Sequence, residues 1–286
     1  MSPTWHSPDP PPPTPPRGAV GWARILLRGA LVGGVTFGGL GLLLLLRLVE
    51  RPVFGLRRPV TPWITVAVCR IALRGLGLRV RVTGTPLRGR GGMVANHVSW
   101  LDIYVLNAQA PLYFVSKAEV ARWPGIGWLA RATGTVFVTR TARDAADQAL
   151  LLEARLRAGH RLLVFPEGTS TDGLRVLPFK PTLFAAFFRD GLPDLLQVQP
   201  VTLRYHAPRS EDPRFHAWWG DMDFAGHLLK VLAAPRGGRV DVIFHPPRRI
   251  ADFPDRKALA AQCTDAVRSG HVRARSPLTK PGPGTG

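Results

Sequence analysis

Gly91-Gly-Met-Val-Ala95-Asn-His97-Val-Ser99-Trp-Leu-Asp102-Ile-Tyr-Val-Leu-Asn-Ala108 changes its hydrophobic period halfway along. Gly92 to Ala95 is a short apolar run of strand length. From Ser99 to Ala108 the apolar spacing lies nearer three and four than two, the mark of a helix. A strand that passes through a polar loop into a helix is the repeating unit of an α/β domain.

The pattern continues in both directions. Strands are expected at Leu78 to Val82, Leu112 to Ser116, Thr135 to Thr139, Arg161 to Phe165, Gln197 to Tyr205 and Arg239 to Phe244. Helices are expected at Ala142 to Ala158, Thr182 to Arg189, Phe224 to Leu232 and Arg256 to Val267. The fold class is therefore α/β, a mixed sheet flanked by helices, with an N-terminal membrane helix in front of it.

That helix is read from Gly29 to Leu46, 18 residues without a charge, which as a helix extend about 27 Å and match a bilayer core. The run continues into Arg47, Glu50 and Arg51 without a small-residue cleavage site, which favours a retained anchor over a signal peptide. Arg17, Arg24 and Arg28 precede it and Arg47, Arg51, Arg57 and Arg58 follow. Positive flanks on both sides leave orientation undecided, and a shallow insertion stays open. The domain plan is a Pro-rich unpacked tail over 1–20, an anchor over 21–50, a second apolar segment over 51–77, a catalytic domain over 78–270 and a tail over 271–286. The 51–77 segment is expected as an interfacial or second membrane-associated helix, although the pattern of Trp63 to Leu78 also suits a core helix.

The 286 residues carry a formal net charge of +19, with only five lysines among 38 basic residues. Such an excess attracts nucleic acid or an anionic lipid surface alike, and it also follows from an arginine-rich codon bias. Basic residues spread without a nucleic-acid-binding motif weigh against nucleic acid as a partner. Cys69 and Cys263 stand alone, so neither a zinc site nor a disulfide framework is suggested.

His97 and Asp102 are the first candidates for chemistry. Five positions on one helix would set their side chains about 140° apart. They meet if His97 stays in the loop and Asp102 falls in the first helical turn. The carboxylate then fixes one ring nitrogen and leaves the other free to accept a proton. Ser99-x-x-Asp102 is equally a capping pattern, in which Asp102 satisfies backbone donors only.

Neighbouring blocks resolve this ambiguity through a resemblance. Asn96-His97-Val-Ser-Trp-Leu-Asp102 resembles the His-x4-Asp block of the glycerolipid acyltransferase family, lysophosphatidic acid acyltransferase type. Ser116-Lys117-Ala-Glu119 with Pro124 and Gly127, Gly134-Thr-Val-Phe137-Val-Thr-Arg140, Phe165-Pro166-Glu167-Gly168-Thr169 and Pro200-Val201 follow in the family's order. The resemblance covers roughly Arg79 to Leu203. It implies His97 as general base, Asp102 as its orienter, and Arg140, Glu167, Gly168, Thr169 and Lys117 as acceptor-binding residues. Arginine suits a phosphate or carboxylate through paired hydrogen bonds. Glu167 fits a phosphate poorly and is expected to hold Arg140 or accept from a substrate hydroxyl. Thr139 stands where many members have an acidic residue and Thr182 where a small one is common, which touches acceptor identity more than reaction type.

The implied reaction carries a fatty acyl group from an acyl thioester, on coenzyme A or acyl carrier protein, to a lysolipid hydroxyl, with no metal or bound cofactor. Lysophosphatidic acid is placed narrowly ahead of lyso-ornithine lipid, the branch that Thr169 to Lys180 and Trp218 to Asp223 resemble. The implied location is the bacterial inner membrane, with the catalytic domain facing the cytoplasm. A lipase lacks its GxSxG elbow here. A basic, membrane-anchored anion binder without catalysis is the remaining alternative.

Overall fold

The structure is a computed structural model that describes residues 4–14, 18–139, 144–189, 191–209 and 211–272. Its centre is an eight-stranded sheet. The strands are β1 (Arg79–Thr83), β2 (Gly91–Ala95), β3 (Tyr113–Lys117), β4 (Val136–Val138), β5 (Leu162–Val164), β6 (Gln197–His206), β7 (Arg239–Phe244) and β8 (Arg248–Arg249). Their order is β1-β7-β6-β2-β5-β3-β4, with β8 pairing β6 at its start. From β6 to β4 every pair is parallel, whereas β7 runs antiparallel to β6 and carries β1 parallel beside it. The sheet is mixed, as the sequence indicates.

Central parallel strands are covered on both faces and so read as unbroken apolar runs. Met93 and Ala95 of β2 and Leu163 of β5 enter one core cluster, while Val94, Leu162 and Val164 enter the other. The first cluster is filled by α1 (Ala19–Phe54), α2 (Thr61–Leu76), α3 (Leu101–Asn107) and α6 (Phe224–Ala233). The second is filled by α5 (Ala145–Arg157), α7 (Arg256–Val272) and a 3-10 segment at Pro181–Phe188, through Leu156, Phe184, Phe187, Leu259 and Val267.

α1 is long and apolar enough to cross a membrane and extends beyond the expected 21–50 at both ends. Leu26, Leu27, Leu45, Leu48 and Val49 are exposed along it. It is also tied to the domain. Arg28 donates to the carbonyls of Leu232 and Ala234 at the end of α6, where the last helical carbonyls lack partners. The buried Glu50 accepts from the Val60 and Thr61 amides and from the Thr61 hydroxyl, which fixes the start of α2. α2 buries one face, through Val66, Cys69, Ala72, Leu73 and Leu76, and leaves Trp63 and Ile71 exposed on the other.

Three local expectations change. The run expected as a helix from Thr182 is a 3-10 segment that starts at Pro181. α4 (Ile126–Thr133) was not expected, since its eight residues are too few to show a period; Gly134, at φ 87°, closes it. The tail expected over 1–20 is not wholly unpacked: residues 4–14 form no helix or strand, yet Trp5, Ser7 and Pro10 are bonded to the domain. Prolines donate nothing, but the flanking amide and hydroxyl do, and the Pro10 carbonyl accepts from Arg214.

Candidate active site

In parallel α/β sheets, ligands gather beyond the carboxyl ends of the strands. His97 follows β2, Glu167 and Gly168 follow β5, and Lys117 ends β3. Arg140, also a candidate, lies outside the described residues.

Asn96 pins the exit of β2. Its amide group donates to the Leu203 carbonyl and accepts from the Leu203 amide, at 2.9 and 2.8 Å. The chain then turns, and His97 Nδ1 lies 2.8 Å from Asp102 Oδ2, with Asp102 fully buried in the first turn of α3. The same Oδ2 accepts from the Val98 and Ser99 amides, at 2.8 and 3.0 Å. Capping and orientation were alternatives in the sequence; one carboxylate performs both. Its other oxygen accepts from the Tyr205 hydroxyl at 2.7 Å. Tyr205 is held well above the usual phenol range, by burial and then by the Asp102 charge, so it donates at every working pH.

His97 is held on four sides. Glu167 accepts its amide proton at 3.1 Å, and its carbonyl accepts from the Thr171 amide at 3.0 Å. Asp102 fixes Nδ1, and the Phe165 ring stacks on the imidazole with centroids 4.1 Å apart. Among the described residues Nε2 has no partner, and the side chain is 22% exposed. An imidazole fixed at one nitrogen and open at the other is built to exchange a proton with a bound hydroxyl.

Glu167 is corrected in role. It is 1% exposed, and its second oxygen accepts from the Leu177 amide at 3.0 Å, so it braces two loops rather than facing an acceptor. Burial pushes its carboxyl up to about 8, against the two backbone hydrogen bonds and with some help from the Asp102 charge. Gly168 has φ 71°, and a side chain there would strike the Lys180 ammonium. The left-handed turn thus brings Lys180 against the loop backbone. The Thr169 hydroxyl donates to the Ser170 carbonyl and accepts from the Trp5 amide, at 3.3 and 3.2 Å. Beside it, Ser7 donates to the buried Asp172, which pairs with Arg175 at 3.0 Å, and Arg175 lies over the Trp5 ring. Trp5 also packs with Val98 and Trp219 next to His97. Lys117 faces Glu119 at 3.9 Å and is half exposed.

Of the residues singled out in the sequence, the structure bonds His97, Asp102 and Glu167 together and sets Gly168 and Thr169 in the loop after Glu167, while Lys117 pairs with Glu119 instead and Arg140 lies outside the described residues. Sequence reasoning misses Tyr205, Thr171 and the stacking of Phe165. Phe165 lay inside a quoted block, whereas Tyr205 stands 103 positions from its partner and gives no local signal.

Comparison with known proteins supplies the family. A family model described as Acyltransferase matches residues 79–203. The lyso-ornithine lipid O-acyltransferase of Rhodobacter capsulatus is 59% identical over 94% of this chain and 97% of its own. The chain belongs to the glycerolipid acyltransferase family. This acyltransferase is also 35% identical, over 71% of its length and 79% of the relative's, to the 1-acyl-sn-glycerol-3-phosphate acyltransferase of Neisseria gonorrhoeae. Its fold matches the crystal structure of the 1-acyl-sn-glycerophosphate acyltransferase PlsC from Thermotoga maritima. That match has a TM-score of 0.63 and 20% identity, and covers 91% of this chain and 97% of the other. The chain is therefore an O-acyltransferase, and the non-catalytic anion-binding alternative falls away.

Proposed function

We propose that this acyltransferase transfers a fatty acyl group from an acyl thioester to the free hydroxyl of lyso-ornithine lipid, with His97 as general base. The observation that carries the chemistry is the His97–Asp102 pair, 2.8 Å apart, with Nε2 left open. Nε2 takes the hydroxyl proton as the oxygen attacks the thioester carbonyl. The tetrahedral adduct collapses, the C–S bond breaks, and the proton passes to the departing thiolate. A thiol acidity near about 8.5 makes that group leave readily. Asp102 stabilises the imidazolium in between, and Tyr205 holds Asp102. Thr169 and Gly168 offer the acceptor loop, Arg140 and Lys117 the cations for an anionic head group.

Similarity supports the acceptor that the sequence reading put second. A 59% identical relative named for lyso-ornithine lipid matches nearly full length, against 35% for one named for 1-acyl-sn-glycerol-3-phosphate. Both head groups carry an anion that arginine can clamp, so charge alone does not separate them. A thioester donor such as coenzyme A or acyl carrier protein is cytoplasmic, which supports a catalytic domain on the cytoplasmic side of the bacterial inner membrane.

The test gives membranes bearing the wild type or His97→Ala a labelled acyl thioester, with lyso-ornithine lipid and lysophosphatidic acid in parallel. Diacylated ornithine lipid made by the wild type and lost in the variant is the expected result. Turnover of lysophosphatidic acid alone would move the assignment to phosphatidic acid synthesis, and unchanged transfer by the variant would remove His97 from the mechanism.

A further inference from the structure

At the opposite end of the parallel strands lies a cavity of about 440 Å³, bordered by Arg57, Arg58, Trp63, Tyr113, His160 and Arg161. Tyr113 opens β3, whose far end is Lys117, and Arg161 precedes β5, whose far end leads to Glu167. The cavity is thus separated from His97 by the length of the sheet.

Its charge is out of balance. Arg58 and Arg161 spend one nitrogen each on the carbonyls of Ala132 and Leu87. Arg155 lies behind them, beside His160 at 3.1 Å, and its Nε is buried without a partner. Arg58 and Arg155 both lie over the Tyr113 ring, 6.0 and 5.9 Å from its centroid. Arg57 is exposed and has no ion pair among the described residues. Glu50, the carboxylate nearby, already holds Arg47 at 2.9 Å and the start of α2. Burial, followed for Arg58 by the Arg47 charge, holds Arg58 and Arg155 below the usual guanidinium range. Burial and then Arg155 push His160 down to about 4, so it adds no charge at neutral pH. Half-buried guanidinium groups without counter-charges are unfavourable, and an anion is what the arrangement lacks. Their planar forks match phosphate oxygens.

The cavity mouth points to the source of that anion. Phe54, Leu56 and Trp63 stand beside it, 48%, 52% and 57% exposed, where the apolar helix α1 ends. Aromatic rings next to arginines at the end of a membrane helix suit the interfacial zone of an anionic bilayer. We infer that this cavity is a binding site for the phosphate of an anionic membrane lipid, separate from the acyl-transfer site.

The test uses the full chain in neutral detergent, titrated with phosphatidylglycerol, phosphatidylcholine, inorganic phosphate or coenzyme A, and reads hydrogen exchange over residues 55–63 and 158–161. Phosphatidylglycerol should protect both segments. The double variant Arg57→Gln, Arg161→Gln should weaken its binding about 100-fold, roughly tenfold for each guanidinium group, while acyl transfer without anionic lipid stays at the wild-type level. Arg57→Gln alone, at an exposed position, should weaken binding about tenfold by the same arithmetic and serves if the double variant does not fold. Equal protection by phosphatidylcholine, or unaltered binding by the folded variants, overturns the site. Protection by free phosphate or coenzyme A but not by phosphatidylglycerol overturns its assignment to lipid.

Discussion

The two ends of the parallel strands solve opposite problems. Beyond the carboxyl ends of β2 and β5, both oxygens of Asp102 and of Glu167 have donors, and the His97 amide and carbonyl are bonded too. At the other end, Arg155 Nε is buried without a partner, and three further arginines face one cavity. The first region is complete before substrate arrives, which is how a preorganised catalytic group avoids reorganisation during the reaction. The second is complete only when something negative occupies it.

Substitutions can break the first half of that contrast, beginning with the base. His97→Ala should lower acyl transfer by about 10²- to 10⁴-fold, the usual contribution of a general base, measured as initial rate at saturating acceptor; a loss under about threefold would place the base elsewhere. Glu167 gives the next effect, in stability. Its carboxyl is raised from the usual range to about 8, so the unfolded chain ionises first as pH rises. Its contribution is full below about pH 4.5 and is lost progressively up to about pH 8, a few kcal/mol in all. Thermal unfolding in detergent should show this decline between pH 5 and 8, and Glu167→Gln should flatten it. A slope unchanged in that variant would assign the decline to another group.

Tyr205→Phe removes one donor from a buried carboxylate. We expect kcat to fall about tenfold, the equivalent of roughly 1.4 kcal/mol, with little change in KM. Equal changes in both constants would mean that Tyr205 shapes the acceptor pocket instead. The smallest effect belongs to Trp5→Ala. Loss of a partly buried ring worth about 1 to 2 kcal/mol should lower the unfolding midpoint by roughly 2 to 8 °C, and an unaltered midpoint would mean that the segment is not docked in solution.

What the sequence disclosed follows the range of each interaction. The strand, loop and helix around His97 were legible because five consecutive steps of chain bring the imidazole to its carboxylate. The central strands β2 and β5 were legible as apolar runs with polar ends. Tyr205 was not, because only the pairing of β6 with β2 brings it over Asp102. Glu167 was located but misread, since burial and two backbone amides, not its charge, define its role. α4 escaped because its eight residues, though amphipathic, are too few to establish a period. The docking of residues 4–14 escaped because a proline run announces what it cannot bond to, not what its neighbours can.

That docked segment has a practical side. Trp5 rests against Thr169 and packs with Val98, the residue after His97. A purification tag or fluorescent fusion joined ahead of Met1 would therefore be only a few residues along the chain from a segment docked beside His97, although the apolar helix α1 separates the two in sequence. The end of α7 meets the same loops, since His271 lies 3.0 Å from the Gly173 carbonyl, so fusions at either end, compared with the untagged chain in one assay, would separate a damaged enzyme from a merely obstructed one.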